Sequence, residues 1–165
     1  SFIVNKERYI MKKILVIIVG LLFVNNLMAG DKEDLIKQIK QEWVDFYNKK
    51  ANMATMNKDG AWQATSQGGL WEFQTPKEWK AQIEDGPNTF NFSTRHIEVT
   101  IVGKSKDVAY ANYYLVGTIT GPNKKLIASN YRTRASAIYL KKGGKWVSYG
   151  QHFSPLYGGS GVIFE

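Results

Sequence analysis

The feature that most constrains the fold of this chain is a change of hydrophobic period near Phe90. From there on, apolar and polar residues alternate, which is typical of half-buried β-strands. The alternation predicts four strands, at residues 92–103, 107–119, 126–140 and 145–154. Their connections contain the turn-forming sequences Gly103-Lys104, Gly121-Pro122-Asn123 and Gly143-Gly144. Connections this short join antiparallel neighbours, so we expect one antiparallel sheet whose third strand bulges near Ser129 and Asn130.

The chain before Phe90 has helical spacing instead. Residues 31–50 place apolar side chains three or four positions apart, at Ile36, Ile39, Trp43 and Phe46 or Tyr47. A second helix is predicted from Thr75, because Thr75-Pro76-Lys77-Glu78 combines an N-cap, a proline at the first helical position and a capping box. We also expect a short helix around Met53 and Met56. Helices followed by successive strands predict an α+β fold, in which N-terminal helices pack on one face of a curved antiparallel sheet.

The N-terminal part has the pattern of an export signal. Met11 is followed by Lys12-Lys13, by an apolar run from Ile14 to Val24 and by the small residues Ala29-Gly30. This run is too short to span a bilayer, which takes about 20 residues. We therefore predict a signal peptide at 11–29, an upstream extension at 1–10 and a single domain at 30–165. The mature protein is expected to be exported, periplasmic or secreted, without stable membrane insertion after cleavage; an uncleaved anchor is the alternative.

Composition narrows the chemistry. The sequence has no cysteine, which excludes disulfides, thiolate metal sites and cysteine nucleophiles. It has two histidines. We expect neither a metal site nor a cofactor, because no cluster of ligating residues is visible. The net charge of +8 is spread along the chain in pairs such as Lys49-Lys50 and Lys141-Lys142. Nucleic-acid binding is not expected, since it favours a continuous basic surface.

Several short motifs resemble one family. Gly144-Lys145-Trp146 leads to His152-Phe153-Ser154 on the last strand, Asp107-Val108-Ala109-Tyr110 opens the second strand, and Arg95-His96 lies in the first. With the element order, they resemble the nuclear transport factor 2-like superfamily, which includes SnoaL-like and ketosteroid-isomerase-like proteins. The resemblance implies a cone with an internal pocket between the helices and the inner face of the sheet, and a homodimer formed through the outer face. It does not specify a chemistry, since one fold hosts unrelated functions.

His152 is the candidate catalytic residue. By period two it shares one face of the last strand with Trp146, Ser148, Gly150 and Ser154. If that face is inward, His152 lies at the pocket with Ser154 beside it, where it suits acid–base chemistry with a pocket carboxylate. The alternative is a histidine that hydrogen bonds within the sheet. No spacing singles out the carboxylate among Asp45, Asp59 and Glu72, or a hydroxyl donor among Tyr47, Tyr110 and Tyr114; His96 is expected on the outer face.

Two arginines and four aromatic residues are the other candidates for ligand binding. Arg132 and Arg134 share one face of the third strand and can hold a carboxylate or phosphate, or they form a solvated or dimer-interface pair. The resemblance implies a pocket arginine on this strand, although counting from Trp146 puts both on the opposite face unless a bulge intervenes. The aromatic candidates come from segments that close the open end of the cone, where they line the pocket or pack in the core: Trp43, Tyr47, Trp62 and Trp71.

These observations predict an exported SnoaL-like domain that binds a small, partly apolar or anionic ligand in its pocket. Two alternatives stay open. One is an isomerase, cyclase or dehydratase that uses His152 with a pocket carboxylate, and the other is a dimeric protein-interaction module. The sequence leaves enzyme and binding protein both open.

Overall fold

The computed structural model describes residues 30–156. The predicted extension at 1–10, the signal peptide at 11–29 and the tail at 157–165 lie outside the described residues, so export stays a prediction. The compact unit considered below begins at Leu35. Within the described residues, no helix has the length and apolar character needed to cross a membrane.

The described chain contains two helices and six strands. Helix α1 covers 30–47 and helix α2 covers Pro76–Glu84. The strands are β1 (Ala61–Ala64), β2 (Glu72–Gln74), β3 (Thr89–Val102), β4 (Val108–Thr120), β5 (Leu126–Lys142) and β6 (Lys145–Pro155). A 3-10 turn at Pro122–Lys124 joins β4 to β5. The four strands predicted from the alternating pattern are therefore confirmed as β3 to β6.

The sheet has the order β2-β1-β6-β5-β4-β3. The four long strands pair antiparallel with one another, as predicted. The sheet as a whole is mixed, because β1 pairs in parallel with β6 while β2 pairs antiparallel with β1. The β5–β6 hairpin turns at Gly143 and Gly144, whose φ values of 57° and 78° suit glycine.

The two short helical predictions have different outcomes. Helix α2 is confirmed with its capping box: the Thr75 side chain accepts from the Glu78 backbone N–H, and the Glu78 carboxylate accepts from the Thr75 backbone N–H at 2.9 Å. The predicted helix around Met53 is wrong, since this segment is a series of turns. Met56 instead forms a single parallel bridge with Ser148 of β6. Met56 is thus placed by pairing with a strand and not by a helix shared with Met53.

The core lies between α1 and the inner face of the four long strands. Leu35 and Ile39 of α1 are fully buried. They belong to one apolar cluster with small residues of β4 and β5, including Ala109, Ala111 and Ala137. Small side chains on the sheet let the helix approach closely, and each buried aliphatic side chain stabilises the fold by roughly 1.5–3 kcal/mol. This contact fixes which side chains of α1 face the sheet.

Candidate functional site

A cavity of about 180 Å³ opens on the inner face of the sheet. Helix α1, helix α2, the chain around β1 and the long strands all contribute to its wall. Eight of its lining residues are aromatic: Trp43, Phe46, Trp79, Phe90, Phe92, Tyr113, Tyr131 and Phe153. The others are Glu42, Gln63, Thr65, Ser66, Gln67, Gln82, Ile119 and Gln151. An aromatic wall with a few polar groups is typical of small-molecule sites.

Glu42 is the carboxylate of this cavity. It follows Leu35 and Ile39 at seven and three positions, so helical geometry turns it toward the sheet with the buried stripe. Its Oε1 accepts a hydrogen bond from Gln38 Nε2 at 2.8 Å. Its Oε2 accepts one from the Tyr139 hydroxyl at 3.2 Å. The residue keeps partial exposure because it borders the cavity, and both carboxylate oxygens are nevertheless held by protein donors.

Burial raises the pKa of Glu42 from the usual 4.5 to about 7. Removal from water penalises the charged carboxylate, and this effect exceeds the opposing one of its hydrogen bonds with Gln38, Tyr139 and Thr55. The negative charge of Asp45, one turn further along α1, adds slightly to the rise. Glu42 therefore changes its protonation state near neutral pH, where it can either donate or accept a proton.

Two buried tyrosines of the sheet, Tyr113 and Tyr139, lie near this carboxylate, and a third, Tyr131, lines the same cavity. Burial raises the pKa of Tyr113, Tyr131 and Tyr139, so their hydroxyls stay protonated near neutrality. The Tyr113 hydroxyl accepts from Trp43 Nε1 at 3.3 Å, and the Tyr131 hydroxyl shares a hydrogen bond with Ser66 Oγ at 2.8 Å. Glu42 is thus the group of this inner site that changes charge near pH 7.

The aromatic wall is continuous. The Trp43 ring lies 5.6 Å from Phe92 and 5.9 Å from Phe153, measured between ring centroids. Phe92 stacks on Tyr131 at 4.3 Å. Such contacts fix the rings in position, so the cavity is preformed rather than collapsed.

Gln63 contributes an unusual polar group to the cavity. Its Nε2 is buried and has no hydrogen-bond partner in the described structure. Strand pairing explains its direction: Gln63 is the parallel partner of Gln151, and both line the cavity. A buried donor without a partner is destabilising, by about 1–3 kcal/mol, unless another molecule satisfies it.

The prediction that His152 shares one face of the strand with Trp146 is wrong. Ser148 pairs with Tyr139, and Gly150 pairs with Ile138, so Tyr149 is an extra residue in β6. This bulge reverses the alternation beyond it. Gln151 and Phe153 consequently face the cavity, whereas His152 is exposed on the outer face of the sheet. Ser154 lies there too, opposite Arg134 on β5. A pairing of His152 with a carboxylate of the inner cavity is not supported.

The outer face also holds both arginine candidates. Arg132 and Arg134 are exposed there, and they do not line the inner cavity. The predicted bulge at Ser129 and Asn130 is confirmed, since Gly117 pairs with Tyr131 while Ile119 pairs with Ala128. The bulge precedes Arg132 in the chain and therefore does not change the face of the sheet on which the two arginines lie. Both remain on the outer face, as the alternation counted from Trp146 predicts.

His96 lies on this outer face as expected, with its ring edge-on to Tyr114 at 6.0 Å. It occupies a bulge of β3 with φ of 49°. His96, Arg134, His152 and Ser154 border a second hollow of about 370 Å³. The structure therefore brings four polar candidates together, on the face opposite to the aromatic cavity.

The aromatic candidates separate in the same way. Trp43 lines the cavity, whereas Tyr47 is exposed and lies outside its wall. Trp62 is 52% exposed and packs against Phe73 at 5.4 Å. Trp71 is exposed beside His152, with 5.7 Å between their rings. Whether any of these residues binds a ligand stays a prediction.

Of the residues that line this cavity, the sequence predicted Trp43 alone as a ligand-binding candidate. Glu42 and Gln63 are the two polar residues whose absence from that prediction matters most. The signal for Glu42 was present, because a charged residue interrupts the stripe of Leu35, Ile39 and Phe46 at helical spacing. Gln63 had no comparable signal. Its direction depends on the parallel pairing of β1 with β6, which sequence alternation within a four-residue strand does not reveal.

Comparison with known proteins defines the fold. The sequence matches neither a family profile nor a curated protein sequence. Solved structures are similar in three dimensions. One is an NTF2-like protein of unknown function from Pseudomonas putida KT2440, with a TM-score of 0.59 and 17% identity over 82% of this chain and 94% of that chain.

Other similar structures carry different functional descriptions. A proposed dehydratase of the NTF2-like family from Streptomyces avermitilis has a TM-score of 0.59 and 11% identity over 78% of this chain and 97% of that one. The calcium/calmodulin-dependent kinase II association domain of C. elegans has a TM-score of 0.52 and 16% identity over 74% of this chain and 94% of that one. The described chain therefore has the NTF2-like fold, as the sequence motifs implied, and this likeness leaves the specific role open.

Proposed function

We propose that this protein binds a small, largely apolar ligand in the inner cavity. The observation that carries the proposal is the preformed aromatic wall around one carboxylate, Glu42. Ligand sites generally combine such walls with a few polar groups that fix orientation. The unpartnered Nε2 of Gln63 supports the same conclusion, because an acceptor atom of a ligand would complete its hydrogen bonding.

Of the predicted partly apolar or anionic ligand, the anionic option has no support in this cavity. Within the described residues, no lysine or arginine belongs to the lining, and its one carboxylate would repel an anion. Arg132 and Arg134 lie on the other face of the sheet. The proposed ligand is accordingly not an anion.

Two neighbouring residues of β6 offer a matched test. Gln151→Trp fills the cavity, while Tyr149→Trp changes the exposed bulge outside it. We expect the uncharged fluorescent probe N-phenyl-1-naphthylamine to bind the wild type and Tyr149→Trp alike, and Gln151→Trp at least tenfold more weakly. Circular dichroism checks that both variants fold. Equal binding by Gln151→Trp would show that the probe lies elsewhere and would contradict the proposal.

An enzyme is the second candidate, with Glu42 rather than His152 as the acid–base group. The supporting observation is the pKa of about 7, which suits a carboxyl group that must both take up and return a proton. One reaction of this class is exchange of an α-proton of a small ketone such as 1-indanone for solvent deuterium. Glu42→Gln should abolish exchange and His152→Ala should retain it. Retained exchange in Glu42→Gln would remove this candidate.

We also propose that the outer face of the sheet forms a homo-oligomer, as the family resemblance implies. Tyr110, Tyr114 and Ile138 are each about 40% exposed on this face, and exposed apolar groups favour association. Native mass spectrometry should detect a dimer that Ile138→Arg converts to a monomer. Val44→Arg, on the exposed side of α1, is the control. A wild-type monomer would contradict the proposal.

A further inference from the structure

The charge of the inner cavity is one-sided. Glu42 is the acidic residue of the described lining, and no histidine, lysine or arginine accompanies it there. The two tyrosines that it meets from the sheet, Tyr113 and Tyr139, stay neutral because burial raises the pKa of each. Asp45 on α1 adds a second negative charge nearby. When Glu42 is ionised, the site therefore carries a negative charge, and the described lining holds no positive group to balance it.

The wall next to this carboxylate is made of aromatic rings. Trp43 follows Glu42 directly in the chain, and its ring is surrounded at 5.6–5.9 Å by Phe46, Phe92 and Phe153. Aromatic faces attract cations, with tryptophan the most strongly, and the attraction grows when water is excluded. A carboxylate and several aromatic rings around one cavity form a combination suited to a positively charged group.

We propose that the ligand of this cavity is a small apolar cation, a protonated amine or a quaternary ammonium, whose charge lies against Glu42 and the Trp43 ring. This inference rests on the proposed binding function and specifies its ligand class. The hydrogen bonds from Gln38 and Tyr139 already hold the carboxylate in place, so it needs no rearrangement to receive the cation. The apolar remainder of the ligand would lie against Phe92, Tyr131 and Phe153.

Proton linkage gives this proposal a distinctive signature. In the free protein the pKa of Glu42 is about 7, and a bound cation lowers it because the opposite charge favours the ionised form. Cation binding therefore releases a proton, and its affinity rises with pH until Glu42 is ionised. Between pH 6 and pH 8 the ionised fraction of a group with this pKa goes from about 0.1 to about 0.9, a tenfold rise in affinity. A neutral ligand that accepts the proton of Glu42 would show the opposite slope.

The experiment compares three probes that share one ring and differ in charge: phenethylamine, 2-phenylethanol and phenylacetate. Phenethylamine stays protonated up to pH 8, as lysine does. Dissociation constants are measured with the full-length protein at pH 6, 7 and 8, from the NMR shift of the Trp43 indole N–H. We expect phenethylamine to bind most tightly, with about tenfold higher affinity at pH 8 than at pH 6, and phenylacetate to bind most weakly.

Two variants complete the design. Glu42→Gln should lose both the preference for the amine over the alcohol and its pH dependence, whereas Glu98→Gln, exposed on the outer face, should keep both. If the alcohol binds as tightly as the amine, or if amine affinity is flat with pH in the wild type, the cation inference is wrong and the apolar cavity function stands. If none of the three probes shifts Trp43, both fail.

Discussion

Replacing Glu42 with glutamine should remove a pH dependence from the stability of the free protein. Glutamine has the same shape and stays neutral at every pH. Its amide oxygen can accept from Gln38, and its amide nitrogen can donate to the Tyr139 hydroxyl, which accepts as well as donates. The substitution therefore isolates the effect of the carboxylate charge.

The magnitude follows from the pKa. In the unfolded chain Glu42 titrates near 4.5, and in the folded chain near 7. Below pH 4.5 both states are protonated. Between 4.5 and 7 the unfolded chain releases the proton while the folded chain keeps it, so rising pH lowers the free energy of unfolding. Above pH 7 the loss is complete, and at about 1.4 kcal/mol per pH unit it reaches up to about 3 kcal/mol.

Urea unfolding monitored by tryptophan fluorescence at pH 4.5, 6, 7 and 8 measures this loss. The free energy of unfolding of Glu42→Gln minus that of the wild type should increase by up to about 3 kcal/mol between the lowest and highest pH. Glu98→Gln controls for the general effect of removing an acidic charge. Parallel curves for wild type and Glu42→Gln, within about 0.5 kcal/mol, would show that burial does not perturb this carboxyl group. The acid–base argument and the predicted pH dependence of cation binding would then lose their basis.

Three further substitutions test particular contacts. Tyr139→Phe removes a donor that lowers the pKa of Glu42, so a carbon-13 NMR titration should find that pKa higher than in the wild type; an unchanged value would contradict the hydrogen bond. Gln63→Leu removes an unpartnered buried donor that destabilises the free protein by about 1–3 kcal/mol, so its melting temperature should rise while probe binding weakens. A destabilised variant would mean that Gln63 already has a partner. Gly117→Ala should lower stability by about 2 kcal/mol or more, because its Cβ would lie 2.0 Å from the Asn91 carbonyl oxygen; a melting temperature equal to that of the wild type would show that the two strands can separate there.

Much of the fold follows from local sequence signals. The capping box at Thr75 specifies where α2 begins, and alternation with glycine turns specifies β3 to β6, because these signals act within a few residues. The cavity is harder to predict, since its geometry depends on interactions between distant segments. The bulge at Tyr149 carries neither glycine nor proline at the extra position, and it decides whether His152 or Gln151 faces inward. The direction of Gln63 likewise depends on a partner strand almost ninety residues away.

The extra residue at Tyr149 has a consequence for evolution and for sequence alignment. Since Ser148 and Gly150 pair with consecutive residues of β5, a chain that lacks Tyr149 could form an unbroken ladder with the same side chains inward. Loss of this one residue would therefore leave the same side chains of β6 facing the cavity. The same change at a regular position between Gly150 and Phe153 would exchange the two faces over the rest of the strand. Related chains that differ in length by one residue here can thus share one interior, and their equivalent positions are found by facing direction rather than by counting from Trp146.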